Sequence, residues 1–315
     1  MRHRTRRRLL RIIVIASALI VALASSEFAA RLWLVTHPKP DSLPADFAAE
    51  KHVIDYSNRL TDNGYWIVDD FDGKYFKVKD GIRYTVNQPN VSRTVWLFGN
   101  SAMFGLTVGT GQTIADYLQS QARDYKVVNL GMIAADATLQ TIRLKQTNIR
   151  PGDIVVFMDG NVDAIDVINA SNRLYSPVCR NYNQLALVEL SCSWLDTRFS
   201  PAIDIGTVQD TVSRYAHAVQ QARAYALSND ATFYHFFTPD FAGAPANIID
   251  TANETDPEYT STQEMMYAKL RVADPQVIDL GNILDGDYWS DTSHPNAAGN
   301  AIVARAIYGA VWRVF

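Results

Sequence analysis

Cysteine is nearly absent from this chain: Cys179 and Cys192 are the only two in 315 residues. A metal centre needs more ligands than two thiols. No cysteine follows the apolar N-terminal stretch, so a lipoprotein anchor has no attachment point. Positive charge is outnumbered outside one segment. Of 29 Lys and Arg, six (Arg2, Arg4, Arg6, Arg7, Arg8 and Arg11) fall in the first eleven residues, leaving 23 against 33 Asp and Glu, a net of −10. So acidic a body offers no footprint for phosphates, which argues against a nucleic-acid partner. No charge-free apolar run reaches the roughly 20 residues that a spanning helix prefers, and no internal repeat is present. A hydrophobic content of 48% with 20% charged residues argues for a globular chain over a disordered one.

What is present starts with those six arginines. Residues 12–26 follow without a charge and are mostly Ile, Val, Leu and Ala. Basic residues ahead of an apolar stretch describe an export signal whose arginines stay in the cytoplasm. We read 1–35 as a basic N-terminus and uncleaved signal anchor, helped by Phe28, Leu32, Trp33, Leu34 and Val35. That makes a single-pass membrane protein, N-terminus cytoplasmic and body periplasmic or extracellular. The alternative is cleavage near Ala22-Leu23-Ala24, which releases a soluble protein. In an exported body Cys179 and Cys192 form a natural disulfide, closing a short loop worth about 3 kcal/mol. They lie in an irregular insertion at about 172–205, and a reduced pair is the alternative.

Residues 36–92 read as a spacer, with His37-Pro38-Lys39-Pro40, and an N-terminal extension rich in Asp, Gly and Tyr that forms short strands or a flap. From 93 to 315 the pattern is regular. Buried strands are expected at 94–98, 126–130, 154–158, 231–237 and 276–283, with helices at 113–122 and 138–146. An apolar stripe through Val208, Val212, Tyr215, Val219, Ala222 and Ala226 marks a long helix, and Ile302 to Val311 mark another at the C-terminus. Strands alternating with helices define an α/β fold: a three-layer α/β/α sandwich with a five-stranded parallel sheet, doubly wound.

In such a sheet, ligands bind beyond the carboxyl ends of the strands. The loops carrying Ser101, Gly131 and Gly160-Asn161-Val162-Asp163 fall there, as do Asp291 and His294 after the fifth strand. A carboxylate three residues from an imidazole orients the ring, which then takes a proton from a nucleophile. Ser101, after Val95-Trp96-Leu97-Phe98-Gly99-Asn100, is that nucleophile, and the backbone N–H groups of Ser101 and Gly131 with the amide of Asn161 are its oxyanion donors. His37, His52, His217 and His235 read as surface, helix or strand residues. Asp159, Asp163 and Asp166 mimic a calcium loop but lack its closing glutamate, so no metal is expected, and no cofactor is called for.

Together these blocks resemble the SGNH (GDSL-type) hydrolases over about residues 93–315. The Gly-Asp-Ser block stands here as Gly99-Asn100-Ser101, followed by Phe104-Gly105. The second block matches Val128-Asn129-Leu130-Gly131, and the last matches Asp291 and His294 with Pro295-Asn296-Ala297-Ala298-Gly299-Asn300. The third departs: the family has Gly-x-Asn-Asp, whereas Asn161 stands one position early, with Val162 in its place. The resemblance implies a flavodoxin-like five-stranded sandwich and a serine esterase. It also implies an acyl-enzyme and an acylated glycan or small ester as substrate. An O-acetyltransferase, a secreted lipase and a non-catalytic glycan-binding protein are the alternatives.

Overall fold

The computed structural model describes residues 21–29, 31–32, 44–171, 205–239, 257–291 and 293–312. Cys179, Cys192 and the insertion that holds them lie outside the described residues, so the expected disulfide does too. Residues 21–29 are helical, and Arg31 pairs with Glu27 at 2.8 Å. No described helix is long and apolar enough to cross a membrane, and residues 1–20 lie outside the description.

In chain order the elements begin with α1 (Ala45–Tyr56), inside what the sequence reads as spacer. A hairpin follows, β1 (Asn58–Leu60) and β2 (Trp66–Val68), then short strands β3 (Phe71–Asp72), β4 (Lys77–Lys79) and β5 (Ile82–Arg83). The regular part comprises β6 (Thr94–Gly99), α2 (Ser101–Phe104), α3 (Ile114–Gln121), β7 (Lys126–Asn129) and α4 (Ala137–Lys145). It continues with β8 (Ile154–Asp159), α5 (Asn161–Ser171), α6 (Ile205–Ser228), β9 (Thr232–Phe237), α7 (Pro257–Ala273), β10 (Ile278–Asp279) and α8 (Ala297–Trp312). The fifth expected strand, 276–283, shrinks to two residues. Beyond Asp279 the chain turns, and Leu280 and Leu284 enter the core from that turn instead of from a strand.

The sheet order is β10-β9-β8-β6-β7-β5-β4-β3. Its first five members are parallel, as an α/β sandwich requires. The three short strands of the extension run antiparallel and lengthen the sheet beyond the expected five, joining it where Arg83 pairs with Asn129. Alternate residues of β6 and β8 serve opposite faces. Phe98, Val155 and Phe157 pack with α4, α6 and α7, whereas Val95, Leu97, Val156 and Met158 pack with α3 and α8. Burial on both faces is why β8 reads as an unbroken apolar run until Asp159.

Two arginines without a carboxylate contact clamp the extension to this body. Buried Arg83 donates to Tyr75 O at 2.9 Å and Val108 O at 3.2 Å, with its guanidinium over the Phe76 ring. Buried Arg143 donates to Leu130 O at 3.0 Å and across to Gly81 O at 2.8 Å. Burial pushes both down to about 10, so each remains a cation at neutral pH.

On β9, fully buried His235 has Nδ1 2.7 Å from Asp274 and Nε2 2.9 Å from Asp159. Burial pushes the ring down, but the charges and hydrogen bonds of the two carboxylates outweigh it and raise His235 to about 9 from its ordinary 6.5. A raised folded value stabilises fully below about 6.5, and that stabilisation is lost as pH climbs through about 9. The stability advantage of wild type over His235→Gln, from urea titrations, should therefore shrink across this window by roughly 1 kcal/mol per pH unit. An advantage constant from pH 6 to 9 would contradict a charged ring.

Candidate active site

The turn that carries Ser101 begins where β6 stops. Buried Asn100 is the N-cap of α2, and its side-chain oxygen accepts the Ala102 N–H at 2.9 Å. A neutral amide thus caps the helix at the position where the Gly-Asp-Ser block has an aspartate. Ser101 is the first residue of the helix, half-buried, while Ala102, Met103 and Phe104 are buried beneath it. Gly105 ends the turn with φ of 81°, so the chain reverses after one turn and leaves Ser101 at its head.

His294 reaches Ser101 from the other end of the sequence. Its Nε2 lies 2.7 Å from Ser101 Oγ, and its Nδ1 lies 2.7 and 2.9 Å from the two oxygens of Asp291. An ionised carboxylate only accepts, so Nδ1 carries a proton and Nε2 is free to accept from the serine. The Asp291 oxygen nearest the ring also accepts the Ser293 and His294 N–H groups, each at 2.9 Å. Burial pushes this carboxyl up, but the charge and hydrogen bond of His294, with those two N–H groups, outweigh it and hold it below its ordinary value. It therefore remains an acceptor through neutral pH. The loop is held from behind: Ser290 N–H donates to His294 O, Thr107 Oγ donates to Pro295 O, and Asn296 caps α8 by accepting the Gly299 N–H.

Gly131 has a different part from the one expected. Its N–H donates to Asn129 Oδ1 at 2.9 Å, so in this arrangement that donor is already engaged. Its lack of a side chain is what matters. A Cβ there would sit 2.3 Å from Phe104 N and 2.7 Å from Phe104 Cα, inside the backbone of α2. Asn129, fully buried, completes the join by donating from Nδ2 to Met103 O at 2.9 Å. Sequence reading took Asn129 only as part of a block; its signal was a polar residue inside an apolar strand.

Asn161 is buried at the head of α5, and its Oδ1 has no hydrogen-bond partner. No hydrogen bond joins it to the triad among the described residues. Gly99 pairs with Met158, so Ser101 and Gly160 leave the sheet side by side, two residues beyond that pair. Gly160 has φ of 104° and packs against the Phe237 ring, where a Cβ would lie 2.2 Å away. Val162 at the next position carries no side-chain donor. The Ser101 N–H, at the first helical position, has no intrahelical acceptor. Asp163 accepts the Ala137 N–H at the start of α4. No group of carboxylates, histidines or cysteines suited to a metal occurs among the described residues.

A serine, an imidazole and a carboxylate in hydrogen-bonded series at the carboxyl edge of a parallel sheet define a serine-triad α/β protein. The blocks stand in the order that the sequence resemblance to the SGNH hydrolases gives. No family model and no curated protein sequence matches the chain. Among solved structures it is similar to Est24, a carbohydrate acetylesterase from Sinorhizobium meliloti (TM-score 0.44, 15% identity, 71% of this chain and 100% of that one). It is similar also to an acetyl-xylooligosaccharide esterase from Geobacillus (0.42, 14%, 71% and 96%). A third is a member of the lipolytic G-D-S-L family from Veillonella parvula (0.43, 12%, 71% and 100%). The likeness is one of general layout, and the chemistry rests on the side chains above.

Gly131→Ala should push α2 away from β7 and draw Ser101 out of line with His294. Misplacement near 1 Å costs on the order of 100-fold in rate, readable as kcat/KM on a short ester and as the rate of fluorophosphonate labelling. Near-wild-type activity would show that α2 does not depend on this contact.

Proposed function

We propose that this chain is an ester hydrolase of the SGNH type that works through an acyl-enzyme. The observation that carries the proposal is the continuous series Ser101 Oγ to His294 Nε2 at 2.7 Å and His294 Nδ1 to Asp291 at 2.7 Å. As Ser101 Oγ attacks the ester carbonyl, His294 takes the hydroxyl proton, and Asp291 stabilises the resulting imidazolium. The tetrahedral oxyanion is met by the Ser101 N–H and the Asn161 amide. Collapse of the intermediate breaks the ester C–O bond, and His294 returns the proton to the leaving alcohol. Water, deprotonated by the same ring, then releases the acid and restores Ser101.

The substrate reading adds the N-terminus. Six arginines followed by an apolar stretch support a body held on the outer side of a membrane. The esters within its reach are then O-acyl groups, O-acetyl foremost, on an envelope glycan. The anchor has its own check: the full-length protein should stay with membranes through an alkaline carbonate wash, whereas quantitative release would favour cleavage near Ala22-Leu23-Ala24.

A fluorophosphonate should label the wild type and leave Ser101→Ala unlabelled. Asp291→Asn, which keeps the shape but no longer fixes the ring tautomer, should lower kcat by on the order of 10³–10⁴. A folded wild type that is neither labelled nor active on acetyl esters would leave the fold as a glycan-binding module and overturn the enzyme.

A further inference from the structure

Directly behind the third block lies an ionic cluster that acyl transfer does not use. Both ring nitrogens of His235 face carboxylates, Asp159 at the end of β8 and Asp274 at the end of α7. Two acceptors require two donors, so the ring is an imidazolium. From α6, the Tyr215 hydroxyl lies 3.1 Å from Nε2, and Arg223 holds Asp274 at 2.6 Å. Asp163 of α5 is near enough to Tyr215 to act on it electrostatically. Desolvating such charges costs several kcal/mol per ion, and an apolar cluster of equal volume is often no less stable. Stability is therefore a poor reason for the cluster. Its position is a better one.

Asp159 is held twice by its neighbours. Its side chain is fixed by His235, and its carbonyl accepts the Thr238 N–H at 2.9 Å, past the end of the β8–β9 ladder. The next residue is the left-handed Gly160, and the one after is Asn161. We propose that His235 is a positioning residue for the acyl-transfer site: by bridging Asp159 and Asp274 it fixes the exit from β8 and so sets where Asn161 stands beside Ser101. This rests on the esterase reading of Ser101, His294 and Asp291. It also gives the early asparagine a physical reason. A chain pinned one residue before its turn brings residue 161, not 162, to the sheet edge.

A double-mutant cycle of His235→Gln and Asn161→Ala in the full-length chain tests this. Turnover of 4-nitrophenyl acetate is normalised to sites titrated with fluorophosphonate, so that a loss of folded protein does not count as a loss of rate. His235→Gln should lower kcat about 10-fold with KM within about 2-fold, and should cost less than about 2-fold when Asn161 is already Ala. Unchanged kcat in folded His235→Gln, or two losses that simply multiply, would overturn the positioning role. If His235→Gln does not fold, Asp159→Asn replaces it in the cycle with the same outcomes. A wild type with neither turnover nor labelling would instead overturn the esterase reading itself, which separates the two failures.

Discussion

The site depends on one close contact, the backbone of α2 lying against Gly131, two residues past the end of β7. A nucleophile needs a raised, fixed hydroxyl, and a four-residue helix cannot hold itself in place. Here the sheet holds it. Gly131 lets the two backbones touch, Asn129 ties them with a hydrogen bond to Met103 O, and Asn100 caps the helix start. Only with Ser101 so fixed does an imidazole delivered from residue 294 meet its hydroxyl at 2.7 Å.

Support comes from both flanks. On the β7 side, the extension lends three strands and a cluster in which Phe104 of α2 packs with Phe47, Phe76 and Val78. Arg83 and Arg143 bind that extension through backbone carbonyls. It is thus part of the shelf beneath Ser101. On the β9 side, the imidazolium of His235 lies between two carboxylates behind the turn that carries Asn161. Buried ionic groups stand on both flanks, joined on the β7 side by apolar packing, and they bracket the same edge.

Much of this was legible in the residues. Apolar runs ending at glycine located the parallel strands, because strands buried on both faces must be apolar throughout. The spacing of Asp291 and His294 told of a paired carboxylate and imidazole, and their geometry is set by a local turn. What was not legible depended on distant packing. Gly131 was read as a donor because glycine permits close approach to a substrate; it permits close approach of α2 instead, and Asn129 takes its N–H. The short β10 escaped because Leu280 and Leu284 are buried from a turn as well as from a strand. His235 looked like an ordinary strand residue, since its partners lie 76 and 39 positions away.

The most direct test of the central claim is to trap the covalent intermediate. On rapid acid quench after mixing with 4-nitrophenyl acetate, mass spectrometry should find one acetyl group per protein, on the peptide holding Ser101. A burst of 4-nitrophenol equal to the enzyme concentration should accompany it. Hydrolysis with no acetylated Ser101 at any quench time, or acetylation elsewhere in the chain, would contradict the account.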